Sequence, residues 1–311
     1  MTATPWLDRR ALDALLPLIL QVPDAHRRFE VDGAAAAAEY QIDGPGVDTL
    51  VVAGLPSATG ADGPLFDATD LRNVATHLDP RSRGRKVLSW WFRELERPDA
   101  DVRYRMDYVA QCPDPGHDGP CRYRLAVPED DWHETHAPAA GGVRHSVTFD
   151  RPRTWPELPA ALLDLLAETR HIRFLWLPET LREASDFVRD TGIGDCIGVA
   201  HLLVEEAGSR GLTARFSYGR SLTPPISASH SWAEFLVDGV WVPVDPVLLD
   251  VLRQWEVAGP QWHRNRSLGA ILGRVGAERR DLVAHAGQPI QAKFPTYRDT
   301  GGRNGGLATR L

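Results

Sequence analysis

Apolar residues along this chain recur with two periods, and the period switches several times. Over 7–21 (LDRRALDALLPLILQ) they fall three and four apart, which predicts an amphipathic helix. Over 28–56 short apolar runs (FEVDG, EYQIDGPG, DTLVVAGLP) alternate with Gly and Pro, which predicts strands joined by turns. The five alanines at 34–38 are equally compatible with a helix, since alanine is the best helix former. Residues 57–64 (SATGADGP) read as a loop, and FDATDLRNVATHL and KVLSWWFREL within 66–98 return to helical spacing. Alternation takes over at 102–111 (VRYRMDYVAQ) and 122–127 (RYRLAV), which read as paired strands joined by CPDPGHDGPC, and again at 143–149. A Pro-rich linker at 151–159 leads to helices expected over 160–170 and 179–190. LLDVLRQWEVAG, after Asp245, is helix-like, and the Gly-rich C-terminal end is expected to be flexible.

These elements predict an α+β fold in three parts. An N-terminal, sheet-rich α+β domain spans 1–150, a core spans 151–265, and a C-terminal extension spans 266–311. At 311 residues the chain is one large or two modest domains, with ample core.

The chemistry concentrates between Gly192 and Pro246. Cys196 is followed by Ile197, Ala200, Leu203, Val204 and Ala207, one face of a helix that Asp195 would cap and Gly208 or Gly211 would stop. A cysteine in a first helical turn faces free amides and the positive end of the helix dipole, which favour the thiolate, the attacking form of the side chain. Helix position alone also fits a buried structural cysteine. The next segment decides between them. Ser229 to Val237 reads as a strand, Asp238-Gly239 as a two-residue turn, and Val240 to Val244 as the returning strand. With Val237 facing Val240, Trp232 faces Asp245 and His230 faces Val247. His230, Trp232 and Asp245 then point to one face, with His230 and Asp245 as diagonal neighbours. An acid so placed fixes one imidazole tautomer and leaves the other nitrogen to accept the thiol proton.

GDC, then GLTARFSYGR, then HSWAEFLVDGVWVPVDP together resemble the transglutaminase-like superfamily. The pattern is a Cys opening a helix, G-x-x-A-R (Gly211 to Arg215), H-x-W-x-E (His230, Trp232, Glu234) and W-x-x-x-D-P (Trp241, Asp245, Pro246), all in order. The resemblance covers roughly 180–250, about a quarter of the chain. It implies a papain-like fold, with the Cys helix packed on an antiparallel sheet, and a Cys196, His230, Asp245 triad. Members include protein cross-linkers, peptidases, deglycosylating amidases and amide-forming enzymes; some lack the triad and only bind, whereas this chain keeps all three residues. The segment 220–229 (RSLTPPISAS) departs in composition and points to an unusual substrate. The oxyanion donors are the backbone N–H of Cys196 and, as a second candidate, Trp176. Trp232, Glu234 and Trp176 are candidates for substrate contact, Glu234 also for a salt bridge.

Function classes narrow accordingly. The expected reaction is acyl transfer through a thioester at Cys196, to an amine or to water, from a dedicated small-molecule or peptide donor. A cysteine peptidase or amidase, or a binding module on the same fold, is the alternative. The net charge of −7 argues against nucleic acid, and no apolar run reaches membrane-spanning length. Lys86 and Lys293 are the only lysines, and so much arginine and alanine suggests a GC-rich bacterial genome. Three cysteines fit a reducing cytoplasm. No cofactor and no metal are expected at the triad, where an acid-oriented base explains the hairpin register. Cys112, His117 and Cys121, with His133 and His136 nearby, have the residue types of a zinc site but lack any Cys-x-x-Cys spacing; a hairpin tip with two free thiols is the preferred reading. His201 reads as structural, and His171, His263 and His285 have no partner in the sequence. The oligomeric state is left open.

Overall fold

The structure is a computed structural model and describes residues 4–97, 101–114, 116–138 and 140–299. It is α+β with antiparallel sheets, as the sequence predicts. Two compact units are interleaved along the chain. The first comprises 1–94, 157–216 and 231–267; the second comprises 95–156, 217–230 and 268–311. The partition expected from sequence is contiguous, whereas these units are not, because strands from distant segments pair within each.

In the first unit, helix Arg9–Ile19 is capped by Asp8, whose carboxylate accepts from the Ala11 amide at 2.8 Å. It buries Leu12, Leu15, Leu16 and Ile19, the stripe that its spacing predicts. The alanine run is helical (Gly33–Tyr40), capped by Asp32. The stretch expected as a strand around DTLVVAGLP is instead helix Gly44–Ala53. The helix signals outweigh the β-branched run: Asp43 caps it, Pro45 sits in the first turn, and Gly54 stops it at φ 88°. The expected loop at 57–64 is a hairpin, Ser57–Gly60 with Gly63–Asp67, extended by Phe29–Val31. Helices Ala68–Leu78 and Arg83–Leu95 follow as expected. Arg27, buried, ties this corner together by donating to Asp70 and to the carbonyl of Ile19, each at 2.7 Å.

In the second unit, Asp101–Ala110 and Cys121–Val127 do form as strands, but they do not pair with each other. The first pairs with Val143–Pro152 and Thr296–Asp299, the second with Asp131–Ala137 and Val283–His285. Alternating burial along Asp101–Ala110 confirms the period-two pattern; that pattern names a buried face and leaves the partner undetermined. The C-terminal segment supplies two of these strands, and Leu272–Gly276 and Gln288–Pro289 besides, while its Gly-rich end lies outside the described residues.

Candidate active site

Cys196 opens helix Cys196–Ser209. Asp195 caps it, its carboxylate accepting from the amides of Ile197 and Gly198 at 3.0 and 3.4 Å. That cap leaves the Cys196 amide out of the network. Asp195 is fully buried, and burial pushes its carboxyl up; Arg182, 3.2 Å away, and the amides of Ile197, Gly198 and Leu177 work in the opposite direction. Cys196 itself is half-buried. Glycine at 198 is required by packing: a Cβ there would stand 2.8 Å from Val188 and 3.1 Å from the Arg182 carbonyl.

Trp176 is brought to the same corner by a short parallel pairing. Arg173 lies beside Ile193 and Phe174 beside Gly194, and the Leu175 amide donates to the Gly194 carbonyl at 3.0 Å, which runs the segment leading to Trp176 along the residues just before the Cys196 helix. Asn73, buried, grips the Trp176 backbone from both sides, donating to its carbonyl at 2.9 Å and accepting from its amide at 2.8 Å. The guanidinium of Arg72 lies 3.6 Å over the Trp176 ring. Burial lowers the Arg72 pKa, Arg182 lowers it further, and the charges of Asp195 and Cys196 raise it, which places all four groups within electrostatic reach. The indole Nε1 of Trp176 is buried and has no hydrogen-bond partner among the described residues.

Asp245 lies in the same unit as Cys196. It ends the hairpin and caps the helix Pro246–Gln254, accepting from the Leu248 amide at 3.0 Å, with Pro246 as the first helical residue. The hairpin has the register that the sequence predicts: Val237 faces Val240 and Ala233 faces Val244, so the next pair outward is Trp232 and Asp245. Asp238 and Gly239, both at positive φ, make the turn. The helices that start at Cys196 and Pro246 pack on each other. The capping role of Asp245 was not read from the sequence, though Asp-Pro before an apolar periodic run is a signature of a helix start.

His230 belongs to the second unit and is buried. Its strand neighbour Ser229 accepts from Arg220 at 2.6 Å. Arg220, buried, also donates to the Ser227 carbonyl and hydroxyl and lies 4.0 Å over Phe294. Burial brings its pKa down to about 10, with Tyr218 and Tyr108 pulling the other way. The compositionally odd segment before His230 is therefore an internally braced loop built around one buried cation.

Trp232 and Glu234 point inward into a polar knot. Glu234 is buried; its Oε2 accepts from Arg215 Nη2 at 2.6 Å, and its Oε1 accepts from the Trp232 indole at 3.0 Å. Arg215 in turn lies 4.1 Å over Trp241. The amide of Leu236 donates to Thr213, and the same register sets Arg215 opposite Glu234. Four residues of the G-x-x-A-R, H-x-W-x-E and W-x-x-x-D-P motifs thus hold one another. His201 stacks flat on Phe216 of strand Ala214–Ser221 at 4.3 Å, the structural role expected for it. A separate groove of about 950 Å³ in the first unit, lined by Arg170, Arg173, Arg253 and Arg264 among others, does not include Cys196 or Asp245.

Residues 169–246 match the model of the transglutaminase-like superfamily. The chain therefore carries a transglutaminase-like core over that stretch, and the match points to a cysteine enzyme. A solved structure titled a "Putative Cysteine Protease from Cytophaga hutchinsonii" is similar at 12% identity and a TM-score of 0.34, covering 64% of this chain and 89% of that one. A likeness at that score supports no transfer of residue roles. No curated protein matches the sequence. Among the described residues no helix is long and apolar enough to cross a membrane.

Proposed function

We propose that this protein is an acyl-transfer enzyme with Cys196 as nucleophile, His230 as general base and Asp245 as the acid that orients it. The Cys196 sulfur attacks the carbonyl carbon of an amide, ester or thioester donor while His230 takes the thiol proton. The bond to the leaving group then breaks, and His230 returns the proton to that group. An amine or water attacks the resulting thioester, gives its proton to His230, and frees the thiol. The carrying observation is the setting of Cys196: a half-buried thiol at the first turn of a helix whose cap leaves the Cys196 amide unused. That amide and the partnerless Trp176 N–H are the proposed oxyanion donors, which matter because they meet charge that develops only in the transition state. Arg72 beside them favours a donor with an anionic group near its acyl carbon, a dedicated small molecule or peptide. Trp232 and Glu234 support the strand that carries His230 and do not touch substrate in this reading. Three free thiols fit action in a reducing cytoplasm.

The test needs no known substrate. The alkylation rate of Cys196, located by mass spectrometry, is measured against pH in wild type and in His230→Ala. The expected result is an inflection well below the free-cysteine value of about 8.5, lost in the variant. An ordinary inflection that His230→Ala leaves in place would overturn the triad.

A further inference from the structure

Outside the nucleophile, the second unit gathers four side chains that the proposed reaction does not use. Cys112 follows strand Asp101–Ala110, Cys121 begins strand Cys121–Val127, and His117 lies on the link between them. The fourth is His285, which ends strand Val283–His285 and pairs with Tyr123 across the ladder. His285 is 173 residues from Cys112 in sequence. The ligand atoms of the four residues all lie within 4.8 Å of one another. His117 Nε2 is 3.2 Å from Cys121 Sγ, and His285 Nε2 is 3.9 Å from Cys112 Sγ. Tetrahedral zinc, with bonds of about 2.3 Å to sulfur and about 2.0 Å to nitrogen, separates a sulfur from a nitrogen by roughly 3.5 Å. The two observed distances fall on either side of that value.

We propose that Cys112, His117, Cys121 and His285 form a closed structural zinc site. Two thiolates and two imidazoles are the donor set that zinc favours, and four protein donors leave no position for a reacting water. The surroundings are those of a ligand site. Nδ1 of His117 is 3.0 Å from the Asp118 carbonyl and can donate to it, which directs the lone pair of Nε2 at the cluster. Cys121 and His285 are buried, while Cys112 and His117 are half-buried at the rim, which gives an entry path. His133 and His136, the histidines nearest in sequence, take no part: they lie on strand Asp131–Ala137, where His133 stacks on His145 at 4.0 Å. A disulfide between Cys112 and Cys121 would not call for two imidazoles at the same point. Zinc bound here clips the 111–120 link to strand Val283–His285 and displaces the two thiol protons. This inference is independent of the acyl-transfer reading.

The experiment uses the full chain purified in reductant without chelator. Metal analysis is expected to give about one zinc per chain in wild type and in Cys196→Ala, and less than about a fifth of that in Cys121→Ser and His285→Ala. Cobalt substituted into wild type is expected to show the strong visible bands of tetrahedral cobalt with a thiolate charge-transfer band. Should the variants fail to fold, release of zinc from wild type on titrating its thiols serves in their place. Wild type that neither carries zinc nor takes it up on reconstitution overturns the proposal. So does a Cys112–Cys121 disulfide in the reduced protein, and so does zinc that is lost in Cys196→Ala instead.

Discussion

The two places where this chain keeps its thiols set one side chain to two tasks. Cys196, half-buried, opens a helix, with Arg182 against the capping carboxylate and Arg72 within electrostatic reach; Arg72 in turn lies over the Trp176 ring, whose indole N–H has no partner among the described residues. Around Cys121 stand a second thiol and two imidazoles, with the sulfur fully buried. A lone thiol at a helix start, beside groups that stabilise negative charge, is suited to attack a carbonyl. Two thiols and two imidazoles within one coordination sphere are suited to hold a cation. Backbone context underlies the contrast: the first site is built on a helix start, the second on strand ends that a ladder brings together.

Removing the two thiol sites separately should divide their effects. Cys196→Ala should abolish turnover of an activated ester such as p-nitrophenyl acetate while zinc content stays near one per chain. Persistent turnover would remove Cys196 from the mechanism. Asp245→Asn should lower the acylation rate by about 10²–10⁴ through loss of the oriented tautomer, read in the same assay. Because Asp245 also caps a helix, the amide should cost little stability, asparagine being an equally good cap. An unchanged rate would reduce Asp245 to a cap alone.

The next effect lies in the polar knot beneath the hairpin. Glu234→Gln removes the charge that faces Arg215 while keeping the shape, and should destabilise the chain by about 2–3 kcal/mol in urea unfolding. A loss below about 0.5 kcal/mol would mean that water substitutes for the pair.

The smallest effect is a pH dependence. His77 sits between the rings of Phe174 and Trp255, with its Nε2 lacking a partner among the described residues. Burial, with help from Arg85, holds its pKa at about 4, below the ordinary 6.5. The unfolded chain gains a proton as pH falls through 6.5, and the folded chain does not until about 4. The stability due to a neutral His77 is therefore complete above 6.5 and is lost as pH drops towards 4. His77→Leu should flatten the slope of the urea midpoint over that window; an unchanged slope would assign it to other groups.

Much of the site was legible because its signals are local. Asp195 before an apolar periodic run marks a helix start, and Cys196 follows it by one position. Asp238-Gly239 fixes the turn, and the turn fixes every pair of the hairpin out to Ala233 and Val244. The misreadings are also local. Val51 and Val52 favour a strand by side-chain type, yet Asp43, Pro45 and Gly54 prevailed, since a capped, stopped segment with Leu50 buried satisfies its backbone within itself. The Ser57–Asp67 hairpin was hidden by turn-forming residues, because the third strand that stabilises it, Phe29–Val31, comes from elsewhere in the chain.

By itself, then, the sequence determined the α+β class, the helix that opens at Cys196, the hairpin register and the inward face of each amphipathic strand. Tertiary structure alone decided which strands became neighbours: Asp101–Ala110 and Cys121–Val127 went to different sheets, Arg215 met Glu234, and His285 met Cys112. The reason is physical. Periodicity and caps act over a few residues of continuous backbone, whereas a strand edge accepts any partner of suitable pattern, and only the burial of the whole chain selects one.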